Sequence, residues 1–210
     1  MEIINKILLK SILEEISNVM NEEKQYLIEL DGAMGDGDLG LTMSSGFRGV
    51  YEEIDKIDSD DIGIVLIKLG MKMNSIVPST MGTLISTCFL KAGKEVKGKM
   101  EINLLDIAKM GRASVNGVME RGKAKIGQKT MLDSLNPAVE ALERAVHENL
   151  ELKKTFEIAY EAAKVGAENT KTIKSVHGRA AYYGEKSLGK PDSGATAVMF
   201  IFKGIFQSFK

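Results

Sequence analysis

The stretch Leu30-Asp31-Gly32-Ala33-Met34-Gly35-Asp36-Gly37-Asp38-Leu39-Gly40, here called the acidic loop, combines three carboxylates with four glycines. Asp31, Asp36 and Asp38 lie within eight residues, and the next basic residue is Arg48. Glycines let the backbone turn tightly and adopt positive φ angles. Oxygen ligands gathered in this way suit Mg²⁺, which takes one or two protein carboxylates and fills its octahedron with water and phosphate oxygens. The acidic loop therefore predicts a magnesium site.

Other interpretations compete for the same residues. Gly35 to Gly40 formally matches the dinucleotide fingerprint G-x-G-x-x-G, but two aspartates there would repel a pyrophosphate that rests on bare backbone amides. An EF-hand that begins at Asp36 would need side-chain oxygens at Gly40 and Phe47, which cannot supply them. A plain Asp/Gly-rich turn, in which Asp38 caps the next helix, stays open as an alternative to the magnesium site.

The composition indicates a single soluble domain that spans residues 1–210. The formal net charge is −1, so no basic field favours nucleic acid. Cys88 is the only cysteine, which excludes an intramolecular disulfide and favours a reducing, cytoplasmic compartment. The longest apolar stretch, residues 195–202, is far shorter than the roughly 20 residues of a transmembrane helix. We therefore expect small-molecule or protein partners, and neither nucleic acid nor membrane.

Helical periodicity dominates the chain, and we predict an all-α fold. Apolar residues recur every three to four positions over residues 3–20. Similar patterns predict further helices over residues 22–30, 41–54, 62–73, 84–92, 104–122, 130–149 and 152–169. Residues 171–192 are irregular, and the apolar segment 193–209 fits either a strand or a buried helix.

Two loops between these helices carry polar groups. Val77-Pro78-Ser79-Thr80-Met81-Gly82-Thr83 opens a helix with hydroxyls and free backbone amides, which together can bind an anion. Helix capping by Ser79 or Thr80 explains the same residues equally well. The basic run Arg121-Gly122-Lys123-Ala124-Lys125-Ile126-Gly127-Gln128-Lys129 is typical of a solvated loop.

Four separated motifs together resemble the L subunit of dihydroxyacetone kinase, the nucleotide-binding component of that system. The acidic loop corresponds to the family signature L-D-x-A-I-G-D-G-D-H-G, and residues 121–133 match R-G-K-A-x-x-G-x-K-T-M-L-D. Near the C-terminus, residues 178–189 match G-R-A-S-Y-x-G-E-R-S-x-G, and residues 192–195 match D-P-G-A. The resemblance spans nearly the whole chain.

The resemblance implies a barrel of about eight antiparallel helices, with ADP or ATP and two Mg²⁺ ions at one end. It implies that Asp31, Asp36 and Asp38 are the metal ligands. Arg179 would be the catalytic residue, because it lies where an arginine approaches the phosphate end and offers a permanently charged, bidentate donor. The nucleotide contacts implied in this way are Ser79, Thr80, Gly82, Thr130, Met131, Arg179, Asp192 and Gly194.

Two departures from the family pattern lie in the loops of the implied metal and nucleotide contacts. Leu39 stands where the family usually has a histidine after the last aspartate of the acidic loop. Residues 78–86 replace the family loop G-G-A-S-G-P-L-Y-G, so its glycines and central serine are largely lost. These changes could mark a divergent branch with another partner or another phosphoryl acceptor.

The resemblance implies a kinase subunit that passes a phosphoryl group to dihydroxyacetone, or a similar small hydroxyketone, on a separate K-type subunit. Either a phosphotransferase-system subunit rephosphorylates bound ADP, or ATP exchanges from solution. Such transfer needs positioning and charge neutralisation more than covalent chemistry from the protein. Two alternatives stay open, namely a non-catalytic nucleotide-binding adaptor and a kinase subunit for another acceptor such as a fatty acid.

Other catalytic groups have little support in the sequence. No G-x-x-x-x-G-K-[ST] string occurs, which argues against a P-loop ATPase. His147 lies in a helical pattern and is expected to be a structural or surface residue. His177 precedes Gly178-Arg179, but without a paired base or metal spacing we expect a surface loop histidine.

Overall fold

The computed structural model describes residues 2–209, which form nine α-helices and three short 3-10 segments. The predicted all-α fold is confirmed, and within this range the extended pairing is limited to an isolated antiparallel bridge between Ile4 and Ile102. The helices are α1 (Lys6–Glu22), α2 (Lys24–Gly32), α3 (Leu39–Glu53), α4 (Ile62–Ile76), α5 (Thr80–Glu95), α6 (Leu104–Gly122), α7 (Leu132–Glu148), α8 (Leu152–Asn169) and α9 (Ser193–Gln207). The 3-10 segments are Ile54–Lys56, Thr170–Thr172 and Arg179–Ser187.

The helices form a closed ring. Only Glu23 separates α1 from α2, and from α3 to α9 each helix packs against the next along the chain. The apolar segment whose type the sequence left open is helix α9, which packs against α8 on one side and α1 on the other. Counting α1 and α2 as one interrupted helix, the ring has the eight members that the family resemblance implied.

Several helices begin at side-chain caps that satisfy free backbone amides. Asn5 accepts a hydrogen bond from the amide of Leu8 at the start of α1. Asp61 does the same for Ile64 in α4, which confirms the predicted helix start at residue 62. Asn103 and Asp106 form a reciprocal capping box at the start of α6. These caps set the ends of helices whose interiors are defined by apolar periodicity.

Glycines mark the places where helix backbones approach most closely. A Cβ atom added to Gly204 in α9 would lie 2.6 Å from the Cα atom of Ile16 in α1. A similar approach joins α4 to α5, where a Cβ on Gly63 would lie 2.5 Å from the carbonyl oxygen of Gly93. Closure of the ring between its first and last helices therefore depends on the absence of a side chain at residue 204.

No helix within residues 2–209 has both the length and the apolar character that crossing a membrane requires.

Replacing Gly204 by alanine tests the closure of the ring. The added methyl group meets backbone atoms of Ile16, which cannot rotate away, so we expect Gly204→Ala to lower the free energy of unfolding by about 1–3 kcal/mol. Gly49→Ala is the matched control, because its methyl group would meet only the flexible end of the Ile76 side chain. Urea denaturation followed by circular dichroism measures both variants. Equal stability of the two would contradict tight packing of α9 on α1.

Candidate functional site

One end of the ring contains a large open pocket of about 930 Å³. It is lined by the ends of α2 and α6, by the starts of α3, α5 and α9, and by the segments that precede α3, α5, α7 and α9. Successive helices around the ring run in opposite directions, so loops that are distant in sequence meet at the same end of the ring. The pocket therefore joins the acidic loop, the loop before α5, the loop before α7 and the segment before α9.

Three carboxylates converge on one side of this pocket. Asp31, Asp36 and Asp38 each offer one oxygen atom, and these atoms lie within 4.8 Å of one another. Asp31 is held from two sides, because its Oδ2 accepts from the amide of Gly37 at 3.0 Å and its Oδ1 accepts from the hydroxyl of Ser193 at 2.9 Å. The side chains of Asp36 and Asp38 stay exposed to the pocket. This donor set fits a hard divalent cation.

The electrostatics of the cluster also favour a bound cation. Partial burial, followed by the charges of Asp36 and Asp31, raises the pKa of the Asp38 carboxyl above its usual value, while Arg179 opposes the shift. The Arg179 guanidinium lies 2.8 Å from Asp36 and forms an ion pair with it. The Asp38 side chain makes no capping hydrogen bond to α3, so the structure does not support the alternative in which Asp38 serves as a helix cap.

The loop before α5 contributes hydroxyl groups to the opposite wall. Ser79 and Thr80 both line the pocket. The Oγ of Ser79 accepts from the amide of Gly82 at 3.1 Å, so Ser79 does cap α5. Gly82 is buried and is absent from the described residues that line the pocket. A Cβ there would collide with the carbonyl oxygen of Val77, which indicates a packing role for this glycine.

The turn before α7 places Thr130 and Met131 in the pocket wall. Asp133 shapes this turn, because its carboxylate accepts from the amides of Gly127 and Thr130, the latter at 2.7 Å. We expected the basic run that precedes this turn to be a solvated loop, but Lys129 is an exception. Lys129 is only 2% exposed, and its Nζ donates to the carbonyl oxygens of Ser187 at 2.6 Å and Lys190 at 2.7 Å. Its place inside the K-T-M-L-D motif was the one signal that separated it from its neighbours.

The start of α9 lines the pocket next to this turn. Asp192 caps the helix by accepting from the amide of Ala195 at 2.7 Å. Burial raises the pKa of the Asp192 carboxyl to about 7, although that hydrogen bond and the charge of Lys129 act in the opposite direction. Gly194 lies against Met131, and a Cβ added to it would stand 3.5 Å from the Met131 amide nitrogen.

Arg179 enters the pocket from the segment before α9, where it begins a 3-10 turn and is 67% exposed at its side chain. His177, which we expected to be a surface loop residue, is half-buried, lines the pocket, and pairs through Nε2 with the Gln128 side chain at 2.7 Å. His147 is exposed on α7, as expected.

The pocket thus gathers ten of the eleven residues that the sequence singled out, and Gly82 is the exception. Sequence reasoning missed Lys129 and His177. It also missed the wall formed by Leu84, Val118 and Ala124, which carries no signal beyond helical periodicity.

The fold and the site define an all-helical barrel with an acidic pocket at one end. The chain belongs to the DAK2 domain family, whose pattern matches residues 33–207.

Individual relatives agree with this assignment. The chain is 37% identical over 191 residues to the PEP-dependent dihydroxyacetone kinase, ADP-binding subunit DhaL, of Escherichia coli, with 91% of each chain covered. It is 33% identical over 201 residues to the PEP-dependent dihydroxyacetone kinase 2, ADP-binding subunit DhaL, of Listeria innocua, with 95% of this chain and 93% of the relative covered. The resemblance to L-type subunits is confirmed.

A solved structure shares the fold. The dihydroxyacetone kinase of C. freundii in complex with AMP-PNP and Mg²⁺ superimposes with a TM-score of 0.72 at 26% identity, and its native form with a TM-score of 0.77 at 24% identity. Both matches cover 96% of this chain but only 34% of the kinase chain. The chain therefore spans about a third of that larger protein.

Replacing Asp36 by asparagine tests the metal site. Loss of an outer-sphere partner alone typically weakens metal affinity about 10- to 100-fold, so we expect loss of a direct ligand to weaken Mg²⁺-dependent ADP binding by at least about tenfold. Asp60→Asn is the control, because Asp60 is an exposed aspartate outside the pocket. Isothermal titration gives the affinity, and circular dichroism checks that the helices persist. Unchanged affinity in Asp36→Asn would remove Asp36 from the metal site.

Proposed function

We propose that this protein is the nucleotide-binding subunit of a dihydroxyacetone-type kinase. It binds Mg-ADP or Mg-ATP and transfers the phosphoryl group to dihydroxyacetone, or a similar small hydroxyketone, held on a separate K-type subunit. The observation that carries the proposal is the meeting of three carboxylates and Arg179 at one pocket. The relatives, which are named as ADP-binding subunits of dihydroxyacetone kinases, support it.

The proposed roles follow from the chemistry of the side chains. Asp31, Asp36 and Asp38 would hold the metal, which when bound neutralises charge on phosphate oxygens. Arg179 lies 2.8 Å from Asp36. It would therefore be close to a metal-bound phosphate and could offer it two parallel hydrogen bonds. Ser79 and Thr80 would contact the phosphates from the other wall.

The base end of the nucleotide would lie against the turn before α7. Thr130 and Met131 form one side of this region, and Leu84 and Val118 add apolar surface to the pocket wall. Apolar walls with few polar groups are typical of sites that bind a flat heterocycle. Asp192 and Gly194 would border the nucleotide from the start of α9.

The charges of the pocket support two metal ions. Its lining contains four aspartates, Asp31, Asp36, Asp38 and Asp192, against three basic residues, Arg121, Lys129 and Arg179, so its charge at neutral pH lies between −1 and 0, because the pKa of Asp192 is about 7. A nucleoside diphosphate adds about three negative charges. Two divalent cations would balance this total, whereas a single one would leave an excess of negative charge in a partly enclosed site. We therefore propose two Mg²⁺ ions.

The remaining assignments are proposals of the same kind. We propose a single L-type domain over residues 1–210, because every α-helix between residues 2 and 209 belongs to the closed ring. We propose a phosphotransferase-system subunit rather than free ATP as the phosphoryl donor, because some relatives are named as subunits of PEP-dependent kinases and one as a subunit of a PTS-dependent kinase. A cytoplasmic location agrees with Cys88, the only cysteine, whose thiol has its pKa raised to about 12 by burial.

A second candidate is a non-catalytic adaptor that binds Mg-nucleotide and docks on another protein. It is favoured by Leu39, which lines the pocket beside the acidic cluster with an apolar, 5% exposed side chain. An apolar group cannot donate a hydrogen bond to phosphate. A site with leucine at residue 39 would therefore bind nucleotide without help from this residue in phosphoryl transfer.

Native mass spectrometry and a transfer assay separate the two candidates. We expect the purified protein to carry ADP with two magnesium ions, and to lose both after chelation by EDTA. With a K-type subunit and phosphoryl donor added, dihydroxyacetone phosphate should form. Nucleotide binding without transfer to dihydroxyacetone would favour the adaptor, or a kinase for another acceptor such as a fatty acid. Absence of nucleotide binding at millimolar Mg²⁺ would reject both candidates.

The variant Arg179→Ala tests the proposed catalytic role. We expect kcat to fall by about 100-fold or more, because arginines that stabilise transferring phosphoryl groups contribute at least that much. The dissociation constant for Mg-ADP should change far less, since the contact strengthens in the transition state. Arg144→Ala, which removes an exposed arginine of α7 outside the pocket, provides the control. Parallel losses in binding and rate would point to a ground-state phosphate contact instead.

A further inference from the structure

The segment that carries Arg179, residues 171–192 and here called the arginine segment, has little regular structure of its own. It contains parts of two 3-10 turns and three glycines at positive φ, Gly178, Gly184 and Gly189. Tyr182, near its middle, is 92% exposed. Segments with few buried contacts open readily, so the position of Arg179 depends on contacts that the segment makes with the rest of the molecule.

Lys129 provides the most buried of these contacts. Its side chain leaves the turn before α7 and ends between two main-chain carbonyl groups of the arginine segment, those of Ser187 and Lys190. The ammonium group thus bonds to the chain on both sides of Gly189. A buried ammonium group needs such partners, because an unpaired charge in the interior is strongly unfavourable.

Ser187 carries this contact toward Arg179. It is fully buried, and its Oγ accepts from the amide of Ser175 at 2.9 Å while donating to the carbonyl of Gly184 at 2.7 Å. Ser175 and Ser187 flank Arg179 on its two sides along the chain. Both flanks are therefore joined to Ser187, one of the two residues whose carbonyl oxygens accept from Lys129.

The backbone conformation of Lys129 is an unfavourable one for lysine. Its φ angle is +58°, a left-handed conformation that is uncommon for residues other than glycine. A glycine would adopt it without strain. Burial also lowers the pKa of the Lys129 ammonium, although the charge of Asp192 opposes the shift. Unfavourable features of this kind persist where the surrounding contacts determine them, and they cluster at functional sites.

We propose that Lys129 is a positioning residue whose ammonium group holds the arginine segment so that Arg179 lies over the acidic cluster. Thr130 and Met131 follow it directly in the pocket wall, so one turn would contact the nucleotide and also place the arginine. The anchoring role depends only on the contacts described here. Its effect on phosphoryl transfer rests on the proposed function.

Hydrogen exchange tests the anchoring without any activity assay. In Lys129→Met, which keeps most of the length of the side chain and removes its donors, we expect amides of residues 173–190 to exchange at least about tenfold faster. The amides of Ser175 and Gly189 are specific reporters, since both are hydrogen-bonded within the segment. Amides in α1 should keep their wild-type exchange rates. Unchanged exchange in a folded Lys129→Met protein would overturn the proposal.

Lys123→Met is the matched control. Lys123 lies in the same loop at a positive φ of 53°, but its side chain is exposed and makes no hydrogen bond within the described residues. The substitution Lys123→Met should therefore leave the amide exchange rates of residues 173–190 unchanged. Equal acceleration in both variants would show that any lysine of this loop has the effect, and would also overturn the proposal.

Kinetics test whether Lys129 acts through Arg179. We expect Lys129→Met to lower kcat by about tenfold or more with a smaller change in the dissociation constant for Mg-ADP. In an Arg179→Ala background the same substitution should have no further effect on kcat, because the residue that it positions is already absent. Additive losses in the double variant would reject the positioning role.

Two further results keep the test decisive. If Lys129→Met does not fold, Lys129→Gln replaces it, because the glutamine amide can donate to one of the two carbonyls. The amides of residues 173–190 should then exchange faster than in the wild type but more slowly than in a segment with no anchor. Exchange in Lys129→Gln equal to that of wild type would overturn the proposal. If wild-type protein transfers no phosphoryl group, the proposed function fails, while the exchange data still decide whether Lys129 anchors the segment.

Discussion

Three carboxylates held within 4.8 Å of one another repel, and the pocket is arranged to keep them together. Asp31 is fixed by a main-chain amide of its own loop and by the hydroxyl of Ser193, which lies 162 residues further along the chain. Asp36 is paired with Arg179 at 2.8 Å. The acidic cluster therefore depends on the C-terminal part of the chain for both its geometry and its charge compensation.

This dependence explains why closure of the ring matters for the site. The acidic loop follows α2, whereas the groups that restrain it precede or begin α9. They meet because α9 returns to pack on α1, where Gly204 allows the two helices to approach closely. A change that loosened this contact would separate the carboxylates from Ser193 and Arg179 before it disturbed the acidic loop itself.

The parts of the site that the sequence predicted well are those that need only local information. Asp31, Asp36 and Asp38 are close in sequence, so a glycine-rich turn is enough to bring them together. The fold class followed from periodicity, but α9 stayed ambiguous because helices pack on both of its sides and its apolar residues leave no polar face. Lys129 was misjudged for a related reason. Its neighbours are exposed lysines, and it is buried only because an aperiodic segment folds over it.

Gly82 and Leu39 show how far a family motif can be carried onto individual residues. Both lie in motifs that the family resemblance associates with phosphate contacts, yet Gly82 packs against Val77 outside the pocket lining and Leu39 offers no polar atom. The charged groups at this part of the pocket are the three aspartates, which lie close together, and Arg179, which pairs directly with Asp36. Charge neutralisation by metal and arginine accounts for most of what phosphoryl transfer asks of a protein. Under the proposed function, a site with few polar contacts around this centre would still support transfer, provided that Arg179 is held in place. The anchoring of its segment would then matter more here than in a pocket with additional donors.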